Sequence, residues 1–124
     1  MNGYLLVTGV LFLLVGLRAL LKPVEAVAML YALEANTVDA KNYLRSGAGG
    51  VAISSGLTMI IAVFVPQLAF AALVVAIVIL GGLVFGRLVS LLLDGNPSIV
   101  PWIAGIIELL GLASGTYWLA NFPI

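Results

Sequence analysis

The chain has 124 residues, 64% of them hydrophobic and 8% charged, and its five basic and five acidic residues cancel. A soluble globular domain carries about 25% charged residues, so surface this apolar is expected to face lipid. Zero net charge leaves no basic patch for nucleic acid. With no cysteine and no histidine, disulfides, thiol chemistry and the usual zinc, haem and iron sites are excluded, so neither metal nor cofactor is expected.

Taken in chain order, "MNGYLLVTGVLFLLVGL" has no charge ahead of its apolar core and is followed by "RALLKP". A cleaved signal peptide wants the reverse, so this run reads as a retained first span over residues 2–21, with Arg18 in its last turn. The connector Pro23 to Leu44 carries Glu25, Glu34, Asp39 and Lys41. Within it "PVEAVAMLYALEA" has Pro23 at a helix start and Val24, Val27, Leu30 and Tyr31 on one face, which predicts an interfacial helix along the membrane surface; a short solvated connector is the alternative. In "NTVD", Asn36 or Thr37 caps a helix and Asp39 sits in its first turn, so the second helix starts before it enters lipid.

The second span is expected over residues 45–65, stopped by Pro66, the third over 67–93 and the fourth over 99–120. Each has the roughly 20 residues needed to cross a hydrocarbon core of about 30 Å. "VPQLA" is a tight uncharged turn between the second and third spans. "DGNPS" is a compact turn in which Gly95 and Pro97 set the backbone and Ser98 is placed to cap the fourth span. The expected fold is therefore all-α, a single domain over residues 1–124 built as an integral membrane bundle of four transmembrane helices.

Arg18, Lys22, Lys41 and Arg45 flank the first connection and Arg87 lies toward the third, while the termini and the second connection have no basic residue. The positive-inside rule then makes the first and third connections cytoplasmic and puts both termini outside. The two halves also echo each other: "GLRALLKP" against "GRLVSLLLDGNP", and "ISSGL" against "LASGT". Duplication of a helical hairpin would leave such a trace.

Two charges fall inside apolar runs. Arg87 lies seven residues before Asp94, about 10 Å along the helix, and Glu108 lies nine residues after Ile99, about 13 Å along the next. Antiparallel neighbours bring the two to similar depth, and Arg87, Ser90 and Asp94 share a helix face, so a polar seam is expected there. Insertion of a charge costs at least about 2.5 kcal/mol. Three readings answer that cost: a structural ion pair, a polar cavity for a small ligand or lipid headgroup, or Glu108 as a proton or cation carrier. Arg18 and Arg45 either anchor at the headgroups or join Arg87 around one anionic ligand.

Small residues are the second theme. "RSGAGGVAISSG" sets Ser46, Gly47, Gly49, Gly50, Ser54, Ser55 and Gly56 into the second span. Gly82 and Gly86 form a GxxxG in the third, as do Gly111 and Gly115 in the fourth. Such faces pack helices closely, either inside the bundle or across a dimer. No serine, threonine or carboxylate has a base beside it in sequence, so an enzyme is not expected.

With these stretches in hand, the chain resembles an uncharacterised family of small bacterial four-span membrane proteins, a domain of unknown function. The matching positions are Pro23, Arg45, Gly49, Gly50, Gly86, Arg87, Asp94, Gly95, Pro97, Ser98 and Glu108. The family often has an aromatic before the Gly-Gly pair, where this chain has Ala48. The resemblance implies a multi-pass protein of the bacterial inner membrane and brings no activity. Two functions are carried forward. One is a non-enzymatic accessory or interaction subunit, or a binder of a lipid-like ligand, whose partners are the bilayer and a membrane-protein partner or a second copy. The alternative is a small proton- or ion-coupled transporter using Glu108. Small multidrug exporters have similar size, but their essential Glu lies in the first span, which here has no carboxylate.

Overall fold

The computed structural model describes residues 1–123, and they are all helix and connection. Helix α1 runs Asn2–Leu21. Helices α2 (Val38–Leu44) and α3 (Val51–Phe64) are joined through a π-helical stretch, Arg45–Gly50, into one rod. Helix α4 runs Ala69–Asp94 and α5 runs Ile99–Ala120. Four segments are long and apolar enough to cross a membrane: Asn2–Leu21, Val38–Phe64, Pro66–Asp94 and Ile99–Ala120.

The helices associate as two antiparallel hairpins, α1 with the α2–α3 rod and α4 with α5, joined by packing of α3 on α4. Glycine makes the first pairing close. A Cβ on Gly56 would stand 2.6 Å from the Gly9 carbonyl oxygen, and one on Gly16 would stand 2.8 Å from that of Gly49. Both pairs are therefore backbone against backbone, the closest approach helices make, and only glycine permits it. The spacing of seven residues within each helix (Gly9 to Gly16, Gly49 to Gly56) is the same, so the two contacts fall in register along an antiparallel crossing.

The main core lies at the end that holds the N-terminus and the Pro66–Leu68 turn. Leu5, Met59, Ala62, Ala69, Ala72, Leu73 and Ala76 are buried there, with Tyr4, Phe12, Trp118 and Phe122 packed around them. Alanine dominates α4 at this end, which lets α3 come close. Toward the opposite end burial fades: α4 has no buried residue beyond Leu80, and α5 buries only Gly115.

Hydroxyls inside the apolar helices are satisfied by their own backbone. Ser54, Ser55, Thr58, Ser114 and Thr116 each donate to a carbonyl one turn back, the arrangement that makes a hydroxyl tolerable where water is absent.

The connections differ from expectation in two places. The expected interfacial helix reduces to five π-helical residues, Val24–Ala28, followed by turns. Ala28, Ala35 and Leu44 form a small core with Val24, Val27 and Ala40, so the segment folds back on α2. Ala32 turns the chain with φ +54°, a left-handed conformation that ends the helix and leaves Leu30 exposed. Thr37 caps α2, its Oγ1 accepting from the Ala40 amide at 3.1 Å. Ser98, by contrast, occupies the cap position of α5 without a side-chain hydrogen bond. Gly95, at φ +94°, supplies the backbone reversal between α4 and α5.

Candidate functional site: a charged pair beside an apolar groove

Arg87 in α4 and Glu108 in α5 meet as a two-pronged pair. Arg87 Nε donates to Glu108 Oε2 at 2.5 Å and Nη2 to Oε1 at 2.7 Å. Side-chain exposure is 27% for Arg87 and 13% for Glu108, so the carboxylate is the more enclosed partner. Parallel N–H···O bonds suit the planar guanidinium and are stronger than a single contact. This is the one ion pair among the described residues. Its room comes from α5: a Cβ on Gly105 would stand 3.1 Å from Arg87 Cδ, so glycine there lets the arginine stem lie along the helix.

The rest of the expected seam divides. Ser90 Oγ donates to Asp94 Oδ2 at 3.0 Å, closing a separate pair on α4 and leaving Glu108 to Arg87 alone. Arg45 is spent elsewhere: Nη1 donates to the Leu20 carbonyl, capping the C-terminal end of α1. Arg18 is exposed and its side chain makes no hydrogen bond or ion pair among the described residues. The three arginines are not gathered around one ligand by any such bond, so no cationic surplus forms at Arg87.

Two hollows flank the pair. An open-sided groove of about 570 Å³ lies between α4 and α5, with Arg87, Ser90, Trp102, Gly82, Gly86 and Leu109 among its walls. A smaller hollow of about 320 Å³ lies against α1, bounded by Thr8, Phe12, Tyr31, Leu80 and Glu108. Arg87 therefore faces one space and Glu108 the other. Tyr31, from the connector, stands beside the Arg87 guanidinium. At the loop end Trp102 Nε1 donates to Asn96 Oδ1 at 2.7 Å, fixing the indole at the groove mouth.

The glycines separate into two kinds. Gly49, Gly111 and Gly115 are at helix contacts: Gly49 lies against the Leu20 backbone, Gly111 against Leu80, and Gly115 under the Tyr4 hydroxyl, which donates to the Gly111 carbonyl at 2.8 Å. Gly82 and Gly86 are not. A Cβ on either would meet nothing within 4 Å, and on Gly50 only the Arg45 carbonyl at 3.8 Å. The GxxxG of α4 thus packs against no helix of this chain and instead forms part of the groove.

Sequence reasoning located the pair but missed Tyr31, Gly105 and the Trp102–Asn96 bond. Contact of Tyr31 with Arg87 depends on the connector folding back, which no periodicity signals. Gly9 and Gly16 did leave a signal, an equal seven-residue spacing with Gly49 and Gly56. No group of three or more acidic side chains that could hold a metal occurs among the described residues.

A family model described as a domain of unknown function, DUF4345, matches residues 1–119. No curated protein and no solved structure matches the chain.

Proposed function

The chain belongs to the DUF4345 family, and on that footing we propose that it is a non-enzymatic, multi-pass protein of the bacterial inner membrane that holds a lipid-like ligand in the α4–α5 groove. The observation that carries this is the groove itself: apolar walls, one guanidinium locked in place by Glu108, and a glycine floor that no other helix of the chain covers. Pockets of about 300–1,000 Å³ with apolar linings and few fixed polar groups are typical of small-ligand sites. An accessory role in a larger membrane assembly agrees with the same geometry, since α5 buries only Gly115 and keeps Trp102, Ile103, Ile106, Ile107, Leu109 and Leu110 exposed.

Glu108 as a transport carboxylate is the weaker reading. Both of its oxygens accept from Arg87, so a coupling cation would have to displace a guanidinium first. The orientation follows from charge. All ten charged side chains lie in the half of the bundle with the α1–α2 connector and the α4–α5 loop, and that half is assigned to the cytoplasmic side.

The test is native mass spectrometry of the protein released from membranes in mild detergent. A stoichiometric lipid adduct that survives exchange into a second detergent is expected. Bare protein under the mildest conditions, with the fold intact by circular dichroism, overturns the ligand reading.

A further inference from the structure

The α4–α5 groove has an order of chemistry along its length, and that order names a ligand. At its inner end are Gly82, Leu83 and Leu109; then comes Arg87, then Ser90, and at the mouth Pro97 and Trp102. Going outward, the walls pass from hydrocarbon, through a fixed guanidinium, to hydroxyl and indole. Trp is the residue found where hydrocarbon gives way to headgroups.

Fixed charge decides which headgroup fits. Arg87 is already balanced by Glu108 across the helix pair. Asp94, which accepts from Ser90 of the groove wall at 3.0 Å, pairs with no basic side chain among the described residues. The local sum is thus one positive charge against two negative ones, and the surplus negative charge is the exposed Asp94 at the end of α4, next to groove-wall Ser90. A net-anionic headgroup would meet it as a like charge, whereas an ammonium would be attracted and can donate to the carboxylate. Arg87 still presents N–H donors one level deeper, where phosphate or ester oxygens of the same molecule would lie.

The floor is built for an occupant. Gly82 and Gly86 carry no side chain and no neighbour within 4 Å of where a Cβ would be. Glycine in a helix interior costs about 0.5–1 kcal/mol relative to alanine, and here no contact within the chain offsets it.

Resting on the ligand reading above, we infer that the groove holds a phospholipid with a primary-amine headgroup, one acyl chain lying over Gly82 and Gly86 and the ammonium at Asp94. The chain reaches inward past Leu109, Arg87 takes the phosphate or ester oxygens, and Ser90 holds Asp94 in position.

The test reconstitutes the full chain in nanodiscs of equal parts phosphatidylethanolamine and phosphatidylglycerol, then reads the lipid that co-purifies after detergent extraction. For the native chain, phosphatidylethanolamine is expected to outnumber phosphatidylglycerol at least threefold in the retained lipid. Gly86→Leu fills the open floor and is expected to lose the adduct with its helix content unchanged. Gly82→Leu repeats the test independently should Gly86→Leu not fold. Asp94→Asn is expected to keep a lipid while losing the enrichment. A retained lipid that shows no headgroup preference, or a preference for phosphatidylglycerol, overturns this inference and leaves the ligand reading standing. Absence of any lipid from the native chain overturns both. Unchanged retention in folded Gly86→Leu and Gly82→Leu removes the groove as the site. Loss of a native dimer in those variants, with lipid retention unaltered, overturns the inference in favour of a second copy seated there.

Discussion

Gly9 and Gly56 touch through their backbones: a Cβ on Gly9 would stand 2.9 Å from the Gly56 carbonyl oxygen, and one on Gly56 would stand 2.6 Å from that of Gly9. The two carbonyls cannot be moved aside by a rotamer change, because they are main chain. The same holds seven residues along, where Gly16 meets Gly49.

Substitution therefore has opposite consequences at glycines that look alike in sequence. Gly56→Ala is expected to lower stability by about 1–3 kcal/mol through overpacking, read as a fall in melting temperature in detergent. Gly3→Ala, whose Cβ would meet nothing within 4 Å, is expected to be neutral or to gain up to about 1 kcal/mol from helix propensity. Equal effects at the two positions would contradict the close α1–α3 crossing.

Arg87 and Glu108 form a second testable contact. Removing one partner leaves the other charged and poorly hydrated. Glu108→Leu and Arg87→Leu are each expected to cost roughly 2–4 kcal/mol, below the limit for a fully buried pair because Arg87 keeps some exposure. The double variant Arg87→Leu with Glu108→Leu is expected to recover most of that loss, since no unpaired charge remains. Additive losses in the double-mutant cycle would show that the two side chains do not act as a pair.

Tyr4 links α1 to α5 through its bond to the Gly111 carbonyl at 2.8 Å. Tyr4→Phe keeps the ring and deletes the donor, and is expected to cost about 0.5–1.5 kcal/mol. Gly115→Ala is expected to cost more, because its Cβ would run into the Tyr4 hydroxyl. Chemical denaturation of the two variants in the same detergent ranks them, and a reversed order would place Tyr4 elsewhere.

The orientation can be read with cysteine scanning, because the chain has no cysteine of its own. Asn42→Cys on α2 and Gln67→Cys in the turn between α3 and α4 are both exposed positions. A membrane-impermeant maleimide is expected to label Gln67→Cys in spheroplasts and Asn42→Cys only after lysis. The reverse pattern would invert the assignment.

The four spans were legible because length and apolarity alone specify them, and the Arg87–Glu108 pairing because two antiparallel helices with a short turn fix relative depth. The π-helical stretch Arg45–Gly50 was not, since nothing in "RSGAGG" distinguishes it from an ordinary turn of helix until α1 is packed against it. Gly82 and Gly86 were ambiguous for a related reason. A GxxxG has the same sequence whether its face meets a helix or a hollow, and only the neighbour across from it decides. The connector between α1 and α2 departed furthest, because its apolar residues match an interfacial helix and a folded-back turn equally well. A local core of Ala28, Ala35 and Leu44 settled it.

The confinement of all ten charged side chains to one half of the molecule bears on how the chain enters a bilayer. In the proposed orientation, the segments that must be carried to the far side are the N-terminal residues, the Val65–Leu68 turn and the C-terminal residues. None has a charged side chain. Translocation of the turn needs no ion stripped of water, so α3 and α4 can cross together as a neutral hairpin. Arg87 and Glu108 never traverse the hydrocarbon; each approaches its final depth from the side on which the ribosome releases it. In that orientation the α3–α4 turn presents no electrostatic barrier of its own.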